Sequence, residues 1–181
     1  SAWSSYIADN DGRLPPASTG KGPWYQDYWT KSLYPYLGFS SAPEGHRDAL
    51  VNTVAFCPLD KGIPFHQKEY SALSYIPNAL IGGAYDQDGN MHGPLTEWPS
   101  NRVNVATTVG AIEQPSSRML YACAKEGLIR SCFTADNVEP YLARTHSGGC
   151  NILYADGHVA MFRPDPDKSG EAIALVLGPG K

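Results

Sequence analysis

Three residues in the last quarter of the chain have side chains of the types that bind zinc or iron. His146 is followed after nine residues by Asp156 and, two positions later, by His158; two imidazoles and one carboxylate suit either metal. A strand over 151–156 would span about 20 Å, whereas the residues between His146 and that strand can return only about 14 Å. A common centre would need a full chain reversal just after His146. We therefore expect Asp156 to form a turn, His158 to lie in a strand and His146 to hydrogen-bond the loop backbone.

An acidic segment in the middle of the chain has part of the ligand spacing of a calcium loop. Acids or amides fall at its first, third, fifth and twelfth positions, which are Asp86, Asp88, Asn90 and Glu97. The sixth position is Met91, where the sharp turn of an EF-hand loop needs Gly, and nearby prolines leave no room for a following helix. We therefore expect a solvated surface turn and no cofactor, with calcium as the alternative.

Four cysteines, Cys57, Cys123, Cys132 and Cys150, lack the paired spacing of a zinc knuckle. Two apolar runs within 119–133 predict a hairpin that places Cys123 opposite Cys132, within disulfide reach. Four cysteines allow three pairings, and a bridge between these two would leave Cys57 to pair with Cys150. The alternative is that all four are reduced core residues, as in a cytosolic protein.

The sequence contains no other pattern that predicts catalysis. It has no nucleophile elbow, no glycine-rich phosphate loop and no paired carboxylates in a recognisable setting. Trp24, Trp29 and Trp98 could contribute to a sugar-binding platform, but an aromatic stripe at helical spacing more often belongs to a core. We therefore expect a protein that is not an enzyme.

Size and composition predict a single globular domain over 1–181. The chain has 181 residues, of which 42% are hydrophobic and 18% charged, which supplies a core and argues against disorder. A formal net charge of −4 gives no basic surface, so nucleic acid is not an expected partner. The longest apolar run, 172–177, is far shorter than the about 20 residues that span a bilayer.

Apolar periodicity predicts two helices in the first part of the chain. Trp3, Tyr6 and Ile7 have helical spacing, and the polar residues 9–12 end the pattern. So short a helix is marginal alone, so we expect 1–9 to be the end of a longer helix that begins upstream. A second helix is predicted over 23–34.

The remaining elements are predicted strands, at 51–56, 72–76 and 103–112 and in hairpins over 119–133 and 151–162. Helices followed by strands with short turns indicate an α+β fold with an antiparallel sheet. A two-residue turn at Asp156-Gly157 would pair Tyr154 with Val159 and leave both faces of the last hairpin apolar. Such a hairpin needs a helix against one face, and the truncated helix is the natural candidate.

The C-terminal motif resembles a known bacterial domain. His146, nine further residues and then Asp156-Gly157-His158 are similar to the H-x(9)-D-G domain associated with prepilin-type processing. That domain occurs in pseudopilin-like proteins of the type II secretion and type IV pilus superfamily. Three other segments fit the family in the expected order, namely 6–15 after a helix, 35–37 at the end of a second helix, and the Phe-Cys-Pro sequence at 56–58.

The resemblance implies a loop-rich, pilin-like fold in which the truncated N-terminal helix packs on an antiparallel sheet. It implies a precursor with a short leader, a cleavage and methylation site, and an apolar helix that anchors the subunit in the inner membrane. The four motif residues His146, Asp156, Gly157 and His158 would then be structural.

The expected function is that of a non-enzymatic structural subunit of an envelope fibre for general secretion and protein transport, similar to type II secretion or type IV pilus systems. The globular domain would lie in the periplasm or outside the cell, and the partners would be other pseudopilin subunits, bound through the upstream helix. The alternative is an extracellular module that binds glycan or calcium on the same scaffold.

Overall fold

The computed structural model describes residues 2–15, 30–38, 57–59, 74–78, 84–85, 91–92, 108–123, 138, 142–165, 167 and 170–177. The α-helices whose bounds lie in these ranges are α1 (Ala2–Asp9), α2 (Thr30–Leu33) and α3 (Glu171–Leu177), and 3-10 helices lie at Tyr34–Leu37, Val109–Ala111 and Pro115–Ser117. The strands are β1 (Tyr75–Pro77), β2 (Ala84–Tyr85), β3 (Met91–His92), β4 (Met119–Cys123), β5 (Cys150–Tyr154) and β6 (Val159–Phe162). No helix in the described part of the chain is long and apolar enough to cross a bilayer.

The strands form an antiparallel sheet of four, in the order β1-β4-β5-β6, and a separate antiparallel pair of β2 with β3. Helices and antiparallel strands in one chain confirm the predicted α+β class. The central strand β4 is buried at all five positions because it has a neighbour on each edge and packed side chains on both faces.

The two faces of the sheet belong to two different buried clusters. The first, which we call the α1 cluster, contains Trp3, Leu14, Leu33, Tyr34, Ile112, Leu120, Tyr121 and Ala155. The second, which we call the cysteine cluster, contains Cys57, Met119, Ala122, Cys123, Val138, Leu142, Ala143, Cys150, Ile152 and Ala172. A bulge between Met119 and Tyr121 shifts the alternation, so that Met119 and Ala122 reach the same cluster although they are three residues apart.

Helix α1 ends where the sequence predicts. The Gly12 amide donates to the Ile7 carbonyl at 2.9 Å, and the Asn10 side-chain amide donates to the Tyr6 carbonyl at 2.8 Å. These bonds satisfy carbonyl groups that a helix end would otherwise leave without partners. The chain then turns back, and the Val109 amide donates to the Gly12 carbonyl at 2.9 Å, which ties the helix exit to a distant segment.

The hairpin of β5 and β6 forms, but its register differs by one residue from the predicted one. Leu153 pairs with Val159, and the Gly157 amide donates to the Tyr154 carbonyl at 2.9 Å. This is a three-residue loop that ends on Gly157, whose φ of 91° is left-handed. The predicted two-residue turn, which pairs Tyr154 with Val159, is therefore wrong. Because a one-residue slip exchanges the faces of a strand, Val159 lies on the side of the α1 cluster.

The other predicted hairpin, 119–133, is also wrong in its pairing. Strand β4 exists, but Cys123 pairs with Tyr75 of β1 on one edge, and β5 occupies the other edge. A strand has only two edges, so no place remains for a following strand that would put Cys132 opposite Cys123.

The other elements are confirmed in part. The predicted second helix overlaps α2, which continues as a 3-10 helix to Leu37, and β1 overlaps the strand predicted at 72–76. Residues 109–111, predicted as strand, form a 3-10 helix. Helix α3 was not predicted, because its seven residues were too few to establish a helical period. The strand predicted at 51–56 lies outside the described residues.

Candidate functional site

Three segments that are far apart in sequence meet at one end of the four-stranded sheet. Cys57 lies in the short segment 57–59, Cys123 is the last residue of β4, and His146 precedes β5. Antiparallel pairing puts the end of β4 beside the start of β5, which explains why Cys123 and His146 are neighbours.

A tight reversal directly after His146 positions the imidazole. The His146 amide donates to the Gly149 carbonyl and the Gly149 amide donates to the His146 carbonyl, each at 3.0 Å. The two residues between them, Ser147 and Gly148, have φ values of 50° and 85°. Two consecutive positive φ angles within mutual backbone bonds are typical of a type I′ turn, and Gly148 adopts that conformation without steric cost. The chain reversal directly after His146, which we did not expect from the sequence, is therefore present.

The side chains of these three residues form a compact cluster of two thiols and one imidazole. The Nε2 atom of His146 lies 3.3 Å from Sγ of Cys57 and 3.6 Å from Sγ of Cys123. All three atoms lie within 4.8 Å of one another, and within the described ranges no other group of histidine, cysteine or acidic side chains is so placed. Both cysteines are only 1% exposed, and His146 is half-buried.

Burial determines the protonation of Cys123 and Cys150. Desolvation raises the pKa of Cys123 to about 12, and the nearby Cys57 and Cys150 thiols act in the same direction. Desolvation also raises the pKa of Cys150 to about 12. Both groups are therefore thiols at neutral pH. This environment is unlike that of a catalytic cysteine, which needs an exposed, electropositive position that lowers the pKa.

His146, Asp156 and His158 do not form a common centre. The imidazole of His158 bonds Asp156, with Nδ1 and Oδ1 2.6 Å apart, and stacks on Tyr154 at a ring distance of 4.3 Å. Asp156 forms the turn, as predicted, whereas His158 lies one residue before β6 rather than within a strand. The backbone of His146 bonds the loop, as predicted, but its ring points to the two cysteines, which the sequence argument did not foresee.

The Asp156 carboxylate should titrate below its usual range. Its pKa is lowered chiefly because the His158 amide donates to Oδ1 at 3.0 Å, and the His158 ring adds to the effect. The contribution to stability is present above the unfolded pKa of about 3.9 and disappears as the pH falls through the lowered folded pKa. An NMR titration of the side-chain carboxyl carbon measures this pKa directly. In a His158→Ala variant the backbone donor remains, so the pKa should rise only part of the way; a complete return would assign the effect to the ring instead.

The structure does not contain the predicted disulfides. Cys57, Cys123 and Cys150 are free thiols, so neither the Cys123–Cys132 nor the Cys57–Cys150 bridge is formed, and Cys132 itself lies outside the described residues. The sulfur atom of Cys123 lies 3.6 Å from Nε2 of His146, and β1 and β5 occupy both edges of its strand. Local spacing in the sequence does not predict the cluster of two cysteines and one histidine, because Cys57 and His146 are 89 residues apart.

The other candidate ligands fall where the structure is not described. The proposed calcium ligands Asp86, Asp88, Asn90 and Glu97 all lie outside the described residues, although β2 and β3 on either side of 86–90 do pair. The aromatic residues considered for sugar binding, Trp24, Trp29 and Trp98, also lie outside them.

Comparisons of the chain with known protein families, with curated proteins and with solved structures returned no match.

Proposed function

We propose that this chain is the globular part of a pseudopilin-like structural subunit, which assembles into an envelope fibre through a helix that continues upstream of α1. The single observation that carries the proposal is the packing of α1 against the antiparallel sheet. Trp3 is 5% exposed and meets Tyr121 of β4 edge to face, with ring centroids 5.9 Å apart and planes at 86°. The fold of a pilin-like subunit requires a helix held in this way.

The exposure pattern of α1 supports the same arrangement. Trp3 is buried and Tyr6 and Ile7 are half-buried, whereas Ser4, Ser5 and Ala8 are exposed. Tyr6 also meets Tyr36 edge to face at 5.6 Å, so the segment after α2 holds the helix from a second direction. One side of the helix therefore packs on the domain, and we propose that the exposed side contacts neighbouring subunits along a fibre.

Strand β6, at one edge of the sheet in the described part of the chain, carries exposed apolar residues on the side of the α1 cluster. Val159 and Met161 of β6 are 65% and 49% exposed, and Val159 pairs with Leu153, which packs against the α1 cluster. Exposed apolar residues on the sheet face that carries the α1 cluster suit the proposal that helices of neighbouring subunits pack there.

Processing and location of the complete gene product test this proposal. Coexpressed with a prepilin peptidase, the precursor should become shorter by its leader and should fractionate with the inner membrane, from which only detergent extracts it. Without the peptidase, the precursor should stay at full length. Cleavage that needs no prepilin peptidase, followed by release into the periplasm, would contradict the proposal and favour a secreted binding module.

A further inference from the structure

The distances in the thiol–imidazole cluster match those between ligands of a tetrahedral zinc ion. With Zn–S bonds of about 2.3 Å and Zn–N bonds of about 2.0–2.1 Å, tetrahedral angles separate sulfur from nitrogen by about 3.5 Å. The observed separations from His146 Nε2 are 3.3 Å to Cys57 and 3.6 Å to Cys123. The same angles separate two sulfur ligands by about 3.8 Å, within the 4.8 Å that bounds all three atoms.

We propose that Cys57, Cys123 and His146 supply three ligands of a Zn²⁺ site that fastens the segment around Cys57 to the end of β4 and to the hairpin before β5. This inference does not depend on the proposed fibre function. Two sulfur ligands with one imidazole favour zinc over magnesium or calcium, which prefer oxygen. A water molecule or a side chain other than Cys150 would complete the tetrahedron.

Binding requires a defined change of protonation. The two thiols would each lose a proton to solvent, so zinc uptake should release two protons from the cysteines. His146 would bind through the lone pair of Nε2, with its remaining proton on Nδ1. Burial raises the pKa of Cys123, but a divalent cation beside the sulfur atom reverses that preference because it neutralises the thiolate charge. No oxidant or reductant takes part.

The surroundings of the cluster are those of a structural site. Both sulfur atoms belong to the cysteine cluster, among fully buried residues such as Met119 and Ile152. The three ligands come from segments separated by up to 89 residues, so one ion would close large loops of the chain. A metal bound only by the folded chain stabilises that state, so its removal should lower the melting temperature.

Cys150 provides a matched control. It is a fully buried thiol of the same cluster, but its sulfur atom does not belong to the group within 4.8 Å. A Cys150→Ser variant therefore removes a thiol of the same kind without removing a proposed ligand.

The test measures zinc in the reduced 181-residue chain. We expect one equivalent by elemental analysis and, after Co²⁺ substitution, a spectrum with thiolate-to-cobalt charge transfer and tetrahedral d–d bands. Loss of a hydrogen-bond partner of a metal ligand typically weakens binding 10–100-fold, so loss of a ligand itself in Cys57→Ser, Cys123→Ser or His146→Asn should weaken zinc binding by about 100-fold or more. Cys150→Ser should keep one equivalent. His146→Asn alters a half-buried residue and is the variant most certain to fold.

Several results would overturn the assignment. One is a folded, fully reduced chain that takes up no zinc; another is a cobalt spectrum without thiolate charge transfer. Unchanged zinc affinity in folded His146→Asn, or loss of zinc in Cys150→Ser, would place the ion elsewhere. A Cys57–Cys123 disulfide in protein isolated from cells, identified by peptide mass spectrometry, would show that the two sulfur atoms form a bond instead.

Discussion

Replacing Trp3 by alanine should lower the free energy of unfolding by about 3–5 kcal/mol, the range for removing a large buried aromatic side chain. The reason is that Trp3 is 5% exposed and packs edge to face on Tyr121 of the sheet. Chemical denaturation followed by far-UV circular dichroism measures the change. The loss should appear as a lower denaturation midpoint with a similar slope.

Ser5→Ala is the matched control for this experiment, because Ser5 is exposed on the same helix. It should change stability by less than about 0.5 kcal/mol. If Trp3→Ala were as mild as the control, α1 would contribute little to the domain, and the packing that carries the proposed function would lose its support.

Replacing Gly149 by alanine should destabilise the protein by about 3 kcal/mol or more, at the upper end of the range for overpacking. A Cβ atom at this position would clash with the Phe162 carbonyl oxygen and lie 2.8 Å from Cγ of Arg163. The first contact is with backbone, so β6 itself would have to move. Gly149 also exchanges two backbone bonds with His146, so the thiol–imidazole cluster should be disturbed at the same time.

Thermal unfolding, together with the NMR signals of the His146 ring, measures both effects of Gly149→Ala. The control is Gly148→Asn in the same turn, where a Cβ atom meets nothing within 4 Å and φ is 85°. Asn tolerates this left-handed conformation better than other residues, so we expect a loss of about 1 kcal/mol or less. Equal losses in the two variants would mean that turn conformation, rather than close approach to β6, explains the need for glycine.

Local patterns predicted those parts of the fold that depend on neighbouring residues. The spacing of Trp3, Tyr6 and Ile7 gave helix α1, and the polar residues after it gave its end. The apolar runs on either side of Asp156 gave β5 and β6. The register of that hairpin could not be predicted, because Asp-Gly occurs both in two-residue turns and in three-residue loops that end on a left-handed Gly.

The cluster of Cys57, Cys123 and His146 depends on contacts that no local pattern encodes. Spacing in the sequence predicts that Cys123 pairs with the nearest downstream cysteine, whereas in the sheet both edges of β4 pair with strands that are distant in sequence. Strand β4 ends with a cysteine, and its antiparallel neighbour β5 begins with one. This feature of the sequence could have indicated a cysteine cluster at that end of the sheet. His146 reaches them only through the turn at Ser147 and Gly148.

The amino terminus of the complete protein, isolated from its native membrane, tests the central claim most directly. Mass spectrometry should find an N-methylated residue produced by removal of a short leader, followed by an apolar stretch of about 20 residues that runs into Ala2–Asp9. An unmethylated terminus created by a general signal peptidase, with no apolar helix before α1, would contradict the assignment to a pilin-like fibre.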